Sequence, residues 1–356
     1  MSGFHRCVTV GVLAWVGAVP VVAEEPPPKS DALLRELKSY PHRIIYETYR
    51  HNNFELFIMN ADGSNPVNLT QTPDVDEMYP KVSPDGRRVC FVADEGKGAA
   101  RCRNIYLMNI DGTDRKKIAD HANQPCWNAD GTVIAYIPNR PGPYTIDQGA
   151  NKGLCFYEVA TGRRWEHVNK GIERMLCICW SPDSRWFACS AIGGLGYAHS
   201  IIAFEADGTG HTELVRAGDK LWQCRPDISP DGKQLAFAKA VGEGPGDGPD
   251  KVLGIEVTDL DLSGPLPKLV NPRWAAAELD PLEVYHPDWS PDGRYIACSR
   301  GPKETNKMKT ARYVVGMKAP GWDICVIDVR GMNKWTAVTT DGLSNKEPDW
   351  VPAPRP

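Results

Sequence analysis

The chain is 356 residues long, 42% hydrophobic and 24% charged, with a formal net charge of −4. That balance gives no basic footprint for nucleic acid and no acidic tail, and 33 glycines with 30 prolines describe a turn-rich β protein. A chain of this length would often hold two domains, unless one supersecondary unit repeats around a ring.

At the amino terminus Arg6 precedes a mostly apolar run from Cys7 to Val22, and Val21-Val22-Ala23 supplies small residues at its end. This is the layout of an export signal over residues 1–23, with cleavage expected near Ala23. Gly11, Gly17 and Pro20 interrupt the run, which favours cleavage over an uncleaved anchor. Losing Arg6 takes the charge to −5, and no later segment is apolar enough to span a bilayer. The mature chain is expected to be periplasmic or secreted, and is read as a monomer. Residues 24–42 follow as a Pro-rich spacer and a short helix. Ser30 is its expected cap, and Leu33, Leu34 and Leu37 share the face that packs on the neighbouring domain.

Residues 43–356 repeat one phrase. Ser83-Pro84-Asp85-Gly86 recurs at Ser229-Pro230-Asp231-Gly232 and Ser290-Pro291-Asp292-Gly293, with looser copies at Asn128-Ala129-Asp130-Gly131 and Ser181-Pro182-Asp183-Ser184. Pro presets φ for a tight turn, Asp bonds the local backbone and Gly takes the positive φ, so the tetrad predicts a hairpin turn. Short apolar runs follow each copy: Val89-Cys90-Phe91, Ile134-Ala135-Tyr136, Phe187-Ala188-Cys189, Leu235-Ala236-Phe237 and Ile296-Ala297-Cys298. A second turn closes each unit's later hairpin, as at Asn60-Ala61-Asp62-Gly63 and Asn109-Ile110-Asp111-Gly112. Four strands per unit is the pattern of a propeller blade. The first unit, from Arg43, lacks a leading tetrad, and Glu347-Pro348-Asp349-Trp350 repeats the missing strand at the far end. The fold class is therefore all-β: a six-bladed β-propeller whose first blade is closed by the C-terminal strand, with starts near residues 43, 79, 124, 177, 225 and 286.

Pro287-Asp288-Trp289-Ser290-Pro291-Asp292-Gly293 with its following strand, and the Tyr106 to Asp114 hairpin, resemble the WD40-like repeats of the TolB-type propeller. The resemblance covers roughly 43–351. It implies the propeller without the α/β domain that precedes it in TolB, and an envelope protein or peptide as partner.

Ten cysteines remain after cleavage, enough for disulfides in an oxidising compartment. Cys90, Cys189 and Cys298 occupy core positions, where thiols act as small hydrophobes, and Cys298 with Cys325 could bridge adjacent strands. Cys177-Ile178-Cys179 has no second pair at zinc spacing, so no metal or other cofactor is expected. No Gly-x-Ser-x-Gly, His-Glu-x-x-His or phosphate loop occurs, so no catalytic residue is assigned. Gly242 to Gly248 mimics a glycine fingerprint but reads as a linker.

Every long insertion falls in connections of one face: 139–152, 191–199, 241–251, 271–285 and 301–321. That face is the expected binding face. Aligned blades place Tyr79, Gln124, Cys177, Arg225, His286 and Glu347 just ahead of the innermost strands, at that end of the central funnel. Lys81, Cys126, Cys179, Asp227, Asp288 and Asp349 stand two positions further on the same side. The last insertion adds Lys303, Lys307, Lys309, Arg312 and Lys318 around Tyr313 and Trp322, a surface for an acidic partner or an anionic glycan. The expected function is non-enzymatic: a binding or scaffolding propeller, with Tyr79, Gln124, Arg225, His286, Glu347, Lys81, Asp227, Asp288 and Asp349 at the funnel mouth. The alternative is a metal-dependent polysaccharide lyase resembling oligogalacturonate lyase, for which His51, His121, His199 and His286 are the available imidazoles.

Overall fold

The computed structural model describes residues 30–141, 152–216, 223–241, 252–277, 282–302 and 317–354. The expected export signal, the Glu24 to Lys29 spacer, Gly242 to Gly248, and Lys303, Lys307, Lys309, Arg312 and Tyr313 lie outside the described residues. Among the described residues no helix is long and apolar enough to cross a membrane.

After helix α1 (Asp31–Leu37), blade 1 contains β1 (Arg43–Arg50), β2 (Asn53–Asn60) and β3 (Val67–Asn68). Blade 2 is β4 (Asp76–Val82), β5 (Arg88–Glu95), β6 (Cys102–Asn109) and β7 (Lys116–Ala119). Blade 3 is β8 (Ala122–Trp127), β9 (Val133–Pro138), β10 (Cys155–Glu158) and β11 (Arg164–Glu166). Blade 4 is β12 (Met175–Trp180), β13 (Trp186–Ala191), β14 (Ser200–Glu205) and β15 (His211–Val215). Blade 5 is β16 (Gln223–Ile228), β17 (Gln234–Ala240), β18 (Leu253–Asp261) and β19 (Lys268–Ala276). Blade 6 is β20 (Leu282–Trp289), β21 (Tyr295–Pro302), β22 (Asp323–Asp328) and β23 (Trp335–Ala337). Finally β24 (Ser344–Val351) pairs antiparallel with β1, giving the sheet order β24-β1-β2-β3. The six-bladed propeller closed by its C-terminal strand is therefore the observed fold. The insertion expected over 271–285 is mostly strand, because Trp274 and Ala276 pair with Glu256 and Ile255 and extend β19.

Each tetrad turn is held by the same bonds. Gly86 N–H donates to Ser83 O at 2.8 Å, Arg88 N–H to Ser83 Oγ at 2.9 Å, and Ser83 Oγ to Asp85 Oδ1 at 2.5 Å. Ser229 and Ser290 repeat the set. In blade 3 Asn128 replaces the serine, its Oδ1 accepting from Val133 N–H at 2.9 Å. In blade 4 Ser184 takes the glycine's place at φ 58, matching Gly86 at φ 72.

The core is a set of wedges between blades, because alternate residues of one strand face opposite neighbours. Val89, Phe91 and Ala93 of β5 pack with Ile45, Leu56 and Ile58 of blade 1, while Cys90 packs with Ile134 and Tyr136 of blade 3. Cys189 and Cys298 are likewise wholly buried in wedges. Cys298 and Cys325 stand directly opposite in β21 and β22, and Cys298 Sγ donates to Cys325 O at 3.6 Å.

At the seam between blades 6 and 1, α1 adds a second closure. Ser30 Oγ accepts from Leu33 N–H at 3.2 Å, as expected of the cap, and Leu33 and Leu37 are buried among Ile44, Tyr295, Val326 and Trp350. Tyr40 lies edge-on to both Tyr295 and Trp350, and its hydroxyl donates to Asp292 Oδ1 at 2.5 Å. Trp350→Ala should therefore destabilise the fold by about 3–5 kcal/mol in urea unfolding, as large-to-small core changes do. A loss below about 1 kcal/mol would show that the ring does not depend on this closing strand.

Candidate functional site

The six inner strands β24, β4, β8, β12, β16 and β20 share one irregularity. In each, two residues oppose one on the adjacent strand, as where Tyr79 and Pro80 stand against Phe91 between the Met78–Val92 and Lys81–Cys90 pairs. The same shift recurs at Asn123/Cys126, Leu176/Cys179, Cys224/Asp227, Tyr285/Asp288 and Lys346/Asp349. This is a β-bulge, and its residue is left-handed every time: Tyr79 (φ 52), Gln124 (φ 50), Cys177 (φ 55), Arg225 (φ 57), His286 (φ 57) and Glu347 (φ 50). Five of the six precede proline, which has no N–H to leave unpaired in the bulge. A left-handed non-glycine residue costs roughly 1–2 kcal/mol.

Side chains of the preceding blade offset that strain. Tyr79 N–H donates to Glu47 Oε2 at 3.1 Å, Cys177 N–H to Gln124 Oε1 at 2.6 Å, Arg225 N–H to Ser190 Oγ at 3.0 Å and Glu347 N–H to Ser299 Oγ at 3.2 Å. One layer on, three aspartates make the corresponding link to the following blade. Asp227 Oδ2 accepts from Trp289 N–H at 2.8 Å, Asp288 Oδ2 from Trp350 N–H at 2.9 Å, and Asp349 Oδ2 from Val82 N–H at 2.6 Å. Glu47, Ser190 and Ser299 were missed by the sequence reading. They lie on second strands and carry no repeated motif, although the X-Pro pairs of the inner strands mark the bulges they serve.

The sequence reading put the six bulge residues ahead of the strands, at the mouth on the loop-bearing face. The structure corrects both points. These residues sit inside the strands, because pairing begins two to four residues earlier, at Asp76 in β4 and Leu282 in β20. A funnel of about 570 Å³ runs from this layer towards the opposite face, where Pro84, Ala129, Pro182, Pro230, Pro291 and Pro352 of the short turns form its rim. Tyr79, Arg225, His286 and Glu347 are its floor and are nearly inaccessible, while Gln124 is buried and serves Cys177 instead of lining the funnel. Lys81, Cys126, Cys179, Asp227, Asp288 and Asp349 form the layer above.

Charge is distributed unevenly around that layer. Lys81 Nζ lies 2.6 Å from Asp349 Oδ1 and 3.1 Å from Asp288 Oδ1, with 24% of its side chain exposed. Burial pulls its pKa down, but the two carboxylates outweigh that and hold it well above the ordinary value. Burial, reinforced by Asp288, pushes Asp227 up to about 7 and raises Asp349 well above a normal aspartate. On the other side Cys126 and Cys179, with Cys177 one layer deeper, are neutral thiols, each pushed up by burial. In the floor, Arg225 Nη1 meets Glu347 Oε2 at 2.8 Å and stacks over the Tyr79 ring at 5.4 Å.

No family model matches the chain. Over 123 residues it is 30% identical to the Tol-Pal system protein TolB of Alcanivorax borkumensis, covering 32% of this chain and 27% of that protein. The match thus spans well under half of that relative's length. The crystal structure of TolB from Acinetobacter baumannii superposes with a TM-score of 0.61 at 18% identity, over 87% of this chain and 67% of that one. An oligogalacturonate lyase in complex with manganese gives 0.51 at 11% identity, over 81% of this chain and 71% of that one. The chain folds as a TolB-type β-propeller.

Within this TolB-type propeller one line of residues has the composition of a hydrolytic triad. Ser299 Oγ lies 2.9 Å from His286 Nδ1, and His286 Nε2 lies 3.2 Å from Glu347 Oε1. Ser299 is wholly buried and its Oγ already accepts from Glu347 N–H, so the line locks the bulge and presents no nucleophile. His51 and His199 are exposed in strand connections of blades 1 and 4, and His121 lies between blades 2 and 3, so these imidazoles do not converge with His286. Among the described residues no three or more His, Cys, Asp or Glu side chains are grouped to hold a metal ion. Trp322, expected beside the basic insertion, is wholly buried and its Nε1 donates to Pro302 O, which removes it from any surface. Lys318 is exposed, with its ammonium 4.8 Å from the Tyr49 ring.

Burial, with Arg225, Lys346 and Lys81 nearby, holds the His286 pKa well below 6.5. An imidazole kept neutral in the fold but protonatable when unfolded contributes stability present above about pH 6.5 and lost as pH falls. The His286 ring signals should therefore not titrate between about pH 8 and pH 5.5 in NMR, while the urea midpoint declines across the lower part of that window. A ring titrating near 6.5 would contradict this burial.

Proposed function

We propose that this protein is an exported, non-catalytic binding propeller of the cell envelope that receives a protein segment or peptide in its central funnel. The observation that carries the reading is the funnel itself: a rigid recess of about 570 Å³, sealed at one end by the Arg225–Glu347 pair and open at the short-turn face. Its volume falls in the range of pockets that enclose a small ligand or several peptide residues. Proline at five rim positions and left-handed bulges at the floor leave little to order on binding, so association loses little conformational entropy. Similarity to a Tol-Pal system protein supports a periplasmic location and an envelope partner. The likeness to oligogalacturonate lyase extends to fold alone, and the scattered imidazoles give the lyase reading no support.

The funnel mouth on the short-turn face replaces the loop-bearing face as the proposed entrance. Ala129 is exposed on the blade 3 rim and Ala353 is half-buried beside blade 1, so tryptophan at both should plug the mouth without touching a wedge. Quantitative affinity capture from host envelope extract should lose its enriched partner with Ala129→Trp plus Ala353→Trp and keep it with Ala198→Trp, at an exposed position on the opposite face. Loss with Ala198→Trp alone would return binding to the loop-bearing face.

A further inference from the structure

We propose that Cys298 and Cys325 form a disulfide in the exported protein, a covalent staple across the β21–β22 ladder of blade 6. This rests on the export reading, because such bonds persist in oxidising compartments. Residues directly opposite in an antiparallel pair have Cα atoms about 4.5–5.5 Å apart, inside the span of about 4.4–6.8 Å that a disulfide bridges. Cys298 stands directly opposite Cys325. Both side chains emerge on the same face of the blade, in the wedge against blade 5, and Cys298 Sγ reaches Cys325 O at 3.6 Å. The structure holds the two as thiols, the reduced form of the pair.

Register singles this pair out from the other cysteines. Cys90 and Cys189 are buried in wedges as well, but they face Leu107 and Ile202 on the next strand. Cys126, Cys179 and Cys224 face Ala135, Ala188 and Ala238, Cys102 faces Glu95, and Cys155 lies between Tyr136 and Glu166. Among the described residues no other two cysteines are ladder partners.

The place of the pair in the chain gives a staple something to hold. β21 ends at Pro302 and β22 begins at Asp323, the longest connection between consecutive strands. The entropy lost in bringing two strands together grows with the chain between them, and a cross-link removes that loss from the unfolded state. Ser299, beside Cys298, accepts from Glu347 N–H of the closing strand, while Ile324 and Val326, on either side of Cys325, pack at the seam with Leu33, Leu37 and Trp350. A ladder that frayed here would loosen the funnel floor and the ring closure together.

Formation is a thiol–disulfide exchange. The oxidant is the disulfide of a thiol–disulfide oxidoreductase: its S–S bond breaks, its two sulfurs take up the two cysteine protons and the electron pair, and the Cys298 Sγ–Cys325 Sγ bond forms. The exchange precedes the docking of blade 6 on blade 5, since both sulfurs are enclosed afterwards.

The test expresses the full chain in its host, recovers the protein from the envelope fraction under iodoacetamide, and maps non-reduced peptides by mass spectrometry. One linked pair should join Cys298 to Cys325, and eight of the ten mature cysteines should carry the alkyl label in denaturant. Wild type reduced in denaturant and refolded with dithiothreitol should melt about 5 °C below the same protein refolded with oxidised glutathione. Cys298→Ala plus Cys325→Ala should show no difference between the two refolding conditions; if that variant does not fold, the wild-type peptide map and melting pair decide. Ten alkylated cysteines in envelope protein, a bridge joining other cysteines, or equal melting of the two wild-type preparations would overturn the proposal. Envelope protein with ten free thiols would leave export standing and remove the staple. Protein recovered from the cytoplasm alone would remove export, and the peptide map of the glutathione-refolded chain would then decide the pairing by itself.

Discussion

The ring is held by side-chain acceptors that reach from one inner strand or its neighbour to backbone N–H groups of the next blade. Four bonds to bulge residues and three aspartate bonds one layer above cross the blade boundaries. Apolar wedges supply most of the driving force, but they are non-directional and would tolerate sliding. A carboxylate bonded to one particular amide fixes the height of each inner strand against the next. Two of the aspartate bonds run through β24, so closure of the circle and alignment of the funnel depend on the same strand.

That arrangement explains why the floor is so polar and yet so inaccessible. Glu47 and Lys346 are both fully buried, face one another across the β1–β24 pair, and lie 3.5 Å apart. Burial raises the Glu47 pKa while Lys346 opposes it, and the same carboxylate holds the bulge N–H of Tyr79. Such pairs are a weak source of net stability, but removing one partner leaves a buried charge without compensation. Replacing Arg225 or Glu347 would accordingly test the fold before it tested any ligand, which is why rim positions make the cleaner probes of binding.

The blade count, the tetrad turns and the closing strand were legible because each rests on local chemistry that repeats: Pro for φ, Asp for the turn bond, Gly for the left-handed residue. Even Ser184 in the glycine position could be aligned by its neighbours. The ring residues were legible as a set, since the repeats superpose them, but their depth and direction were not. A period of two assumes a regular strand, whereas each inner strand carries one extra residue. The reading that started the strands at Tyr79 and Arg225 placed the floor at a mouth and chose the face with longer loops. Partners such as Ser190 and Ser299 were invisible, because a serine on a second strand looks the same whether or not it reaches a neighbouring blade.

The inner layer also shows how binding chemistry can vary on a fixed scaffold. Asp227, Asp288 and Asp349 are constrained, each holding the next blade by one oxygen. Lys81, Cys126 and Cys179 occupy the equivalent positions of blades 2, 3 and 4, where no such carboxylate bond is made. Between blades 2 and 3 the link is instead the Trp127 indole, whose Nε1 donates to Lys81 O at 2.8 Å and is indifferent to the side chain at residue 81. Half of the ring is thus bound at this level by its acidic side chains, whereas blades 2 and 3 are joined by the indole, and blades 3 to 4 and 4 to 5 by the Gln124 and Ser190 bonds to the bulge N–H groups one layer deeper. The second half can exchange its funnel-facing groups without unstitching the blades, so the charge and size of what the funnel accepts are set there, against an acidic wall that the fold itself requires.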